Sequence, residues 1–406
     1  MLEDQGRCWA ASSVAHTLPA HYPHTTTCPR VSTPLYRAKA PLIMAQKVLR
    51  PLVASIRAGT VAAASLKSQA AARRSAKELA RVAMANPGRL ADEPGALSAL
   101  VAAVAAGRAT AAPNLQETAM FGAVMLGCIT RAGPDFARRV AEEPSALSSL
   151  LAAMAAGGAA ATPTQQGRAG SCAGVLASIA STSEELARCV GEERGALPVL
   201  VAAVAAGGAA ATQSLVAVAL HSASVLSHVT SISPQDAWRV AQEPAALAAL
   251  VAAVAASGAT APRDVLELSR NSAMVLVHIT TASPELARRV AEEPGVLPAL
   301  AAAVAAPCHC RGTAPRNLPD IAFASASVLG SITKAGPHYV ARVAAEPRAL
   351  PSHVAALAAG GAAAAPNLQD IARNCACALA LIASTGPELA RRVAKEPGAL
   401  PAIDAA

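Results

Sequence analysis

Cys308-His309-Cys310 is the densest run of metal-capable side chains in this 406-residue chain. Thiolate and imidazole are zinc ligands, but ligands so close in sequence do not close a tetrahedral site alone. The run reads as a surface loop. His221, His228 and His278 offer imidazoles as well. With no carboxylate or cysteine beside them, no metal is assigned there. Cys375 and Cys377 fall on a helical stretch about 200° apart and cannot chelate together. The pairs Glu142/Glu143, Glu192/Glu193 and Glu292/Glu293 could in principle do acid–base chemistry. They recur at one phase of the chain, whereas a catalytic pair is expected once, in one pocket. No phosphate-cradling glycine loop, nucleophile elbow or Cys/His dyad is present. The reading is a non-enzymatic protein with no cofactor and no small-molecule substrate.

The phase itself is the dominant signal. Glu-Pro recurs at Pro94, Pro144, Pro244, Pro294, Pro347 and Pro397, and Arg194 fills the one slot without proline. The spacing is 50 residues, except for a three-residue insertion around Cys308. A period of this size means stacked supersecondary units, none of which can bury its apolar face alone.

One unit, 284–333, shows how each is built. Ser283-Pro284-Glu285 opens a first helix with a cap, a first-turn proline and an acid at the positive end of the dipole. Glu285–Arg289 has favourable i, i+4 spacing, as do Asp135–Arg139, Glu184–Arg188 and Glu388–Arg392. Glu293-Pro294-Gly295 ends that helix and starts a second, whose Leu297, Leu300, Ala301 and Val304 share one face. A Gly/Ala loop follows, then a long third helix, 263–280 in the preceding unit, with Val275, Leu276 and Ile279 facing the core.

A short helix, then GALPVLV (195–201) or GALSALV (95–101), then a long helix ending VLASIA (175–180) or VLSHVT (225–230), resembles the armadillo repeat. The resemblance covers 88–406. It departs from the family in length, with units of fifty residues rather than the low forties; two-helix HEAT repeats are the rival. The fold it implies is all-α, a right-handed α-α superhelix (armadillo-like solenoid) of three-helix repeats. It also implies an extended peptide bound along the groove lined by third helices. In the importin-alpha branch a Trp and an Asn one turn apart hold that peptide. Here Val124, Gly174, Ser224, Met274, Ser327 and Cys377 fall at the Trp position. Cys128, Ser178, His228, His278, Ser331 and Leu381 fall at the Asn position, so nuclear-signal transport is disfavoured.

The groove instead offers small and polar groups. His221, Ser224 and His228 share one helical face; Arg270, Asn271, Met274 and His278 neighbour them, and Arg373 and Asn374 recur two units later. These nine residues form the candidate partner-binding strip, with a merely solvated helix face as the alternative. The expected role is a protein-interaction scaffold or adaptor taking a peptide or helix. A structural component of an axonemal or cytoskeletal assembly is the alternative, on the likeness of SPELARRVAEEPG to armadillo proteins of the ciliary central apparatus.

Composition narrows partners and place. Residues 1–91 hold 13 Lys/Arg against three acids, leaving 21 bases and 23 acids beyond. A nucleic-acid-binding array would carry cations along its length, so nucleic acid is disfavoured. The apolar runs are about a dozen residues and broken by Gly or Pro, short of the roughly 20 a membrane span needs. Nine scattered cysteines form no disulfide framework and no secretory signal is evident, which predicts an intracellular, cytoplasmic protein. Four segments are expected: 1–40 disordered, 41–92 a degenerate basic repeat or N-terminal cap, 93–386 the array, and 387–406 a partial repeat. The basic stretch near Met44 has three readings: a solvated cap helix, an organelle transit segment, or a contact for an acidic partner or nucleic acid.

Overall fold

The computed structural model describes residues 46–61, 64–107, 111–208, 211–258, 260–309, 317–360, 364 and 366–404. The 1–40 segment and the side chains of the Cys308-His309-Cys310 cluster lie outside these residues. Two helices open the stack, α1 (Gln46–Gly59) and α2 (Leu66–Ala85). Triplets follow: α3 (Pro87–Ala91), α4 (Ala96–Ala106), α5 (Pro113–Arg131); then α6 (Pro134–Glu142), α7 (Ala146–Ala155), α8 (Pro163–Ala180). The third unit is α9 (Glu184–Glu192), α10 (Ala196–Ala206), α11 (Gln213–Ile232), the fourth α12 (Pro234–Gln242), α13 (Ala246–Ala255), α14 (Arg263–Ala282). The fifth is α15 (Pro284–Glu292), α16 (Val296–Ala305), α17 (Asn317–Lys334). The sixth is α18 (Pro337–Ala345), α19 (Ala349–Ala359), α20 (Pro366–Ser384), before α21 (Pro387–Lys395) and α22 (Ala399–Asp404). The chain is thus an all-α solenoid of three-helix repeats. Counted by helices, the first full unit begins at Pro87, and α1 and α2 are the second and third helices of a unit before it.

Local rules set the helix ends. Ser183, Ser233 and Ser283 accept from the backbone N–H three residues on, at 3.1–3.2 Å. At the Glu-Pro step the proline does not start the second helix. Glu293 is extended (ψ 128°), Gly295 is left-handed (φ 77°, ψ −1°), and Val296 N–H donates back to Glu293 O at 3.3 Å. That is a type II turn, with proline and glycine in the two positions that favour them. Ser145 and Ala245 hold the same left-handed geometry without being glycine (φ 59° and 61°), against the preference of an L residue.

The four i, i+4 pairs expected on the first helices do not form; among the described residues no ion pair within 4 Å joins them. Of these arginines Arg139 reaches back to the preceding unit instead, and Arg239 of the fourth unit does the same. Arg139 Nη1 meets Asp92 Oδ1 at 2.8 Å and its Nη2 donates to Ala91 O. Arg239 Nη2 donates to Gly191 O at 2.9 Å. Each such arginine satisfies the carbonyl end of a neighbouring first helix, where the dipole favours a cation.

Second and third helices meet through a glycine–alanine contact. A Cβ added at Gly59, Gly107, Gly157, Gly207 or Gly360 would lie 2.2–2.3 Å from the Cβ of Ala72, Ala119, Ala169, Ala219 or Ala372. The end of each second helix therefore rests on the third helix with no room for a methyl. In the fourth unit Ser257 and Ser269 stand at these positions, and Ser269 Oγ donates to Ala253 O at 2.6 Å. Leu97, Leu100, Val104 and their equivalents close one continuous core with Val225, Leu226, Val275, Leu276 and Ile279 of the third helices. Alanine elsewhere brings helix axes close, which is why the stack needs few aromatics. Among the described residues one helix, α11, is long and apolar enough to cross a membrane by length and composition, contrary to the shorter runs expected from sequence. Over half of that stretch is buried here, against α8 and α14.

Candidate interaction surface on the third helices

Third helices pack side by side from α2 through α20. The glycine–alanine contact fixes a common register, in which His221, Asn271 and Asn374 are equivalent. So are Ser224, Met274 and Cys377, and so are His228 and His278. Eight of the nine expected strip residues are half-buried and Arg373 is exposed.

Much of its hydrogen-bonding capacity is spent between units. Arg270 Nε pairs with Asp320 Oδ2 on the next third helix at 3.0 Å. Arg73 and Glu117 occupy the same two positions between α2 and α5, at 3.1 Å. Asn374 Nδ2 donates to Ser327 Oγ at 2.8 Å, and Arg373 pairs with Asp370 within its own helix at 2.7 Å. His278 Nδ1 lies 3.0 Å from Thr230 Oγ1 on α11. Thr230 Oγ1 also lies within reach of Leu226 O at 2.9 Å and Ser227 O at 3.2 Å, so the imidazole and the hydroxyl share one hydrogen-bonded cluster between the two units. Met274 packs against the core. Among the described residues, no side-chain hydrogen bond engages Ser224 or Asn271.

One depression of this face is not legible as a site from the sequence. A depression of about 400 Å³ crosses α5, α8 and α11. Its floor is the backbone of Gly167, Gly170 and Gly174, three glycines at i, i+3, i+7 of α8. Arg131, Ser171, Gln213 and His221 form the polar walls. His221 leans over Gly174, where an added Cβ would lie 3.5 Å from its Nε2. The signal was available: in α11 and α14 the positions of Gly167, Gly170 and Gly174 hold Ala217, Leu220 and Ser224, then Glu267, Arg270 and Met274.

A second depression, about 350 Å³, lies at the first Glu-Pro turn and includes Asp92, Glu93, Arg139, Glu142 and Glu143. Its one buried acid, Glu93, is held by Arg50 at 3.0 Å. Cys375 is buried and Cys377 exposed. Among the described residues no three His, Cys, Asp or Glu side chains converge as a metal site.

Three histidines are neutral near pH 7. Burial pushes His278 down to about 4. Burial lowers His221, and the Arg131 charge adds to it against Glu267 and Asp264. Burial also lowers His353, which sits where Leu100, Leu150, Leu200, Leu250 and Leu300 sit in other units. In the unfolded chain these groups protonate near pH 6.5. Below that the unfolded state binds more protons than the folded one, so stability falls as pH falls. The loss begins near pH 6.5 and, for His278, continues to about 4. Each histidine contributes up to about 1.4 kcal/mol per pH unit over its window. Thermal midpoints should drop between pH 7.5 and 5, and His278→Gln with His353→Leu should flatten that slope.

No known family profile matches this chain, and no curated protein does. Solved structures do. An engineered protein from the Northeast Structural Genomics Consortium is 15% identical, with a TM-score of 0.58, covering 86% of this chain and 72% of its own. Two further engineered proteins from that consortium are 19% and 16% identical, each with a TM-score of 0.49. They cover 70% and 71% of this chain and 97% of their own. At 15% identity the likeness of the first is one of fold: a stack of helices in the same arrangement.

Proposed function

We propose that this chain is a non-enzymatic, armadillo-like scaffold or adaptor that holds an extended segment of a partner protein across its third helices. The observation that carries the reading is the 400 Å³ depression over α5, α8 and α11. A bare glycine backbone lets a partner's main chain approach closely. Gln213, Ser171, Arg131 and His221 supply the hydrogen bonds that would orient it. Filling the depression tests this reading, because a Cβ is accommodated at both glycines. The nearest atoms to an added Cβ are 3.9 Å away at Gly170 and 3.5 Å at Gly174. Gly170→Leu with Gly174→Leu should leave the array folded, since the gain of about 1 kcal/mol for each helical glycine replaced offsets the displacement of His221 from above Gly174. Proximity labelling in cells should then show partners of the wild-type chain depleted at least about tenfold. Retention of the same partners by the filled variant would move the binding surface elsewhere.

A further inference from the structure

The third-helix face does not end at the first full unit. The glycine–alanine contact at Gly59 and Ala72 sets α2 in register with every later third helix. The Arg73–Glu117 pair joins α2 to α5 as Arg270–Asp320 joins α14 to α17. In that register Arg74 stands where His221 and Asn271 stand, Lys77 where Ser224 and Met274 stand, and Arg81 where His228 and His278 stand. The positions of the candidate strip are therefore all cationic at this end of the stack.

These side chains are presented rather than consumed. Lys67, Arg74, Lys77 and Arg81 are exposed and fall within an 80° arc of α2, over about 21 Å of helix. Arg81 pairs with Glu78 at 2.8 Å, both well exposed. Lys67, Arg74 and Lys77 have no ion pair within 4 Å among the described residues. Residues 46–85 contain eight Lys/Arg and the single acid Glu78. One helix further on, the depression begins at Ala123 and Val124 of α5.

We infer that α2 receives an acidic stretch of the partner peptide whose neutral stretch lies in the glycine-floored depression. The inference rests on the scaffold reading and adds the chemistry of its ligand. Charge complementarity selects an anion, and continuity of register selects one that runs on along the same face. A nucleic acid would need cations to continue on the next helix. The positions equivalent to Arg74, Lys77 and Arg81 there are Phe121, Val124 and Cys128. A phosphate backbone leaving α2 would find Arg131 as the one cation of the depression's lining, against four exposed cations on α2. A peptide can change from acidic to neutral over about three extended residues, the width of one helix.

The full chain should be titrated with two fluorescent peptides, eight glutamates alone and eight glutamates followed by eight alternating Ser and Ala. Wild-type protein should bind both, and affinity should fall at least roughly tenfold between about 50 and 500 mM salt. Arg74→Glu with Lys77→Glu should weaken both at least about tenfold at low salt. Helical circular dichroism should be unchanged, because neither residue has a buried contact to lose. No binding of oligoglutamate, or equal binding by the reversed variant, overturns the inference. Equal or tighter binding of a single-stranded oligothymidylate of matched charge overturns it in favour of nucleic acid. The Ser/Ala tail separates this inference from the scaffold reading. If the tail raises affinity and Gly170→Leu with Gly174→Leu removes the gain, both stand. If oligoglutamate binds through Arg74 and Lys77 but the tail adds nothing, the acidic contact on α2 stands, while its continuation into the depression, and the scaffold reading carried by that depression, fail.

Discussion

Gly207→Ala should destabilise the array by more than about 3 kcal/mol, although alanine is the better helix former. The new methyl would lie 2.2 Å from the Cβ of Ala219, and Leu268 Cδ2 and Val204 O would both be 3.4 Å away. Neither Cβ can rotate away, because a Cβ is fixed to its backbone, here the helical Ala219 and the residue that ends α10. Two methyl carbons need about 3.5–4.0 Å, so the end of α10 must move off α11 by more than an ångström. Ala219 is fully buried, and Leu200, Val201 and Val204 of α10 would lose packing with it. The backbone raises no separate objection, since Gly207 sits at φ −82°, ψ 15°. The next residue is the control. At Gly208 the nearest atom to an added Cβ is Ala205 O at 3.9 Å, so Gly208→Ala should be neutral or slightly stabilising. Ala219→Gly should restore part of the loss in the double variant, as residues in direct contact do. Urea and thermal unfolding followed by circular dichroism measure all three. Similar melts for Gly207→Ala and Gly208→Ala would show that the contact is loose.

That pair of glycines marks where sequence reasoning stopped. Period, helix order, the serine caps and the buried face of each second helix follow from spacing along one helix, and the structure has them all. Gly207-Gly208 reads equally well as a flexible loop, because Ala219 is twelve residues away and only the fold brings it against Gly207. Contacts between units escape for the same reason. Arg139 and Arg239 have acids at helical spacing on their own helices, Asp135 and Asp236, yet both reach back to first-helix carbonyls about 48 residues earlier. Arg239 keeps Asp236 as well, at 3.2 Å. His278 and Arg270 were read as groups offered to a partner because their helical face was legible. The neighbours that engage them, Thr230 and Asp320, lie on adjacent units. The glycines of α8 escaped because glycine inside a helix is a weakness locally and becomes a depression only between two neighbouring helices.

Arg168→Leu should stabilise the protein, by about 1–4 kcal/mol. Aligned on the glycine–alanine contact, Arg168 takes the position of Thr118, Val218, Leu268, Ile321 and Ile371, all buried. It is itself only 1% exposed. Among the described residues neither its Nε nor its Nη1 has a hydrogen-bond partner. The guanidinium lies against Gly107, where an added Cβ would meet Nη1 at 2.4 Å. Burial lowers its pKa, partly offset by Cys172 one turn on, whose thiol burial pushes up to about 12. A thiol held neutral at pH 7 supplies no counter-charge, and among the described residues no anion lies within 4 Å of the cation. Breaking a buried ion pair usually costs stability because a charge is orphaned. Here the charge is already orphaned, and removing it reverses the sign. Leucine at this place is what α14 carries as Leu268, against the same kind of second-helix end. Methionine should gain nearly as much, filling more of the arginine's volume without its charge. Lysine should gain little, because it keeps the cation. The expected readout is a higher thermal midpoint and urea midpoint for Arg168→Leu and Arg168→Met. Slower amide hydrogen exchange should accompany it, concentrated in α5 and α8, because stability in a stacked array is summed from local units and their interfaces. A lower midpoint for both apolar variants would mean that the guanidinium carries an interaction worth more than its burial costs.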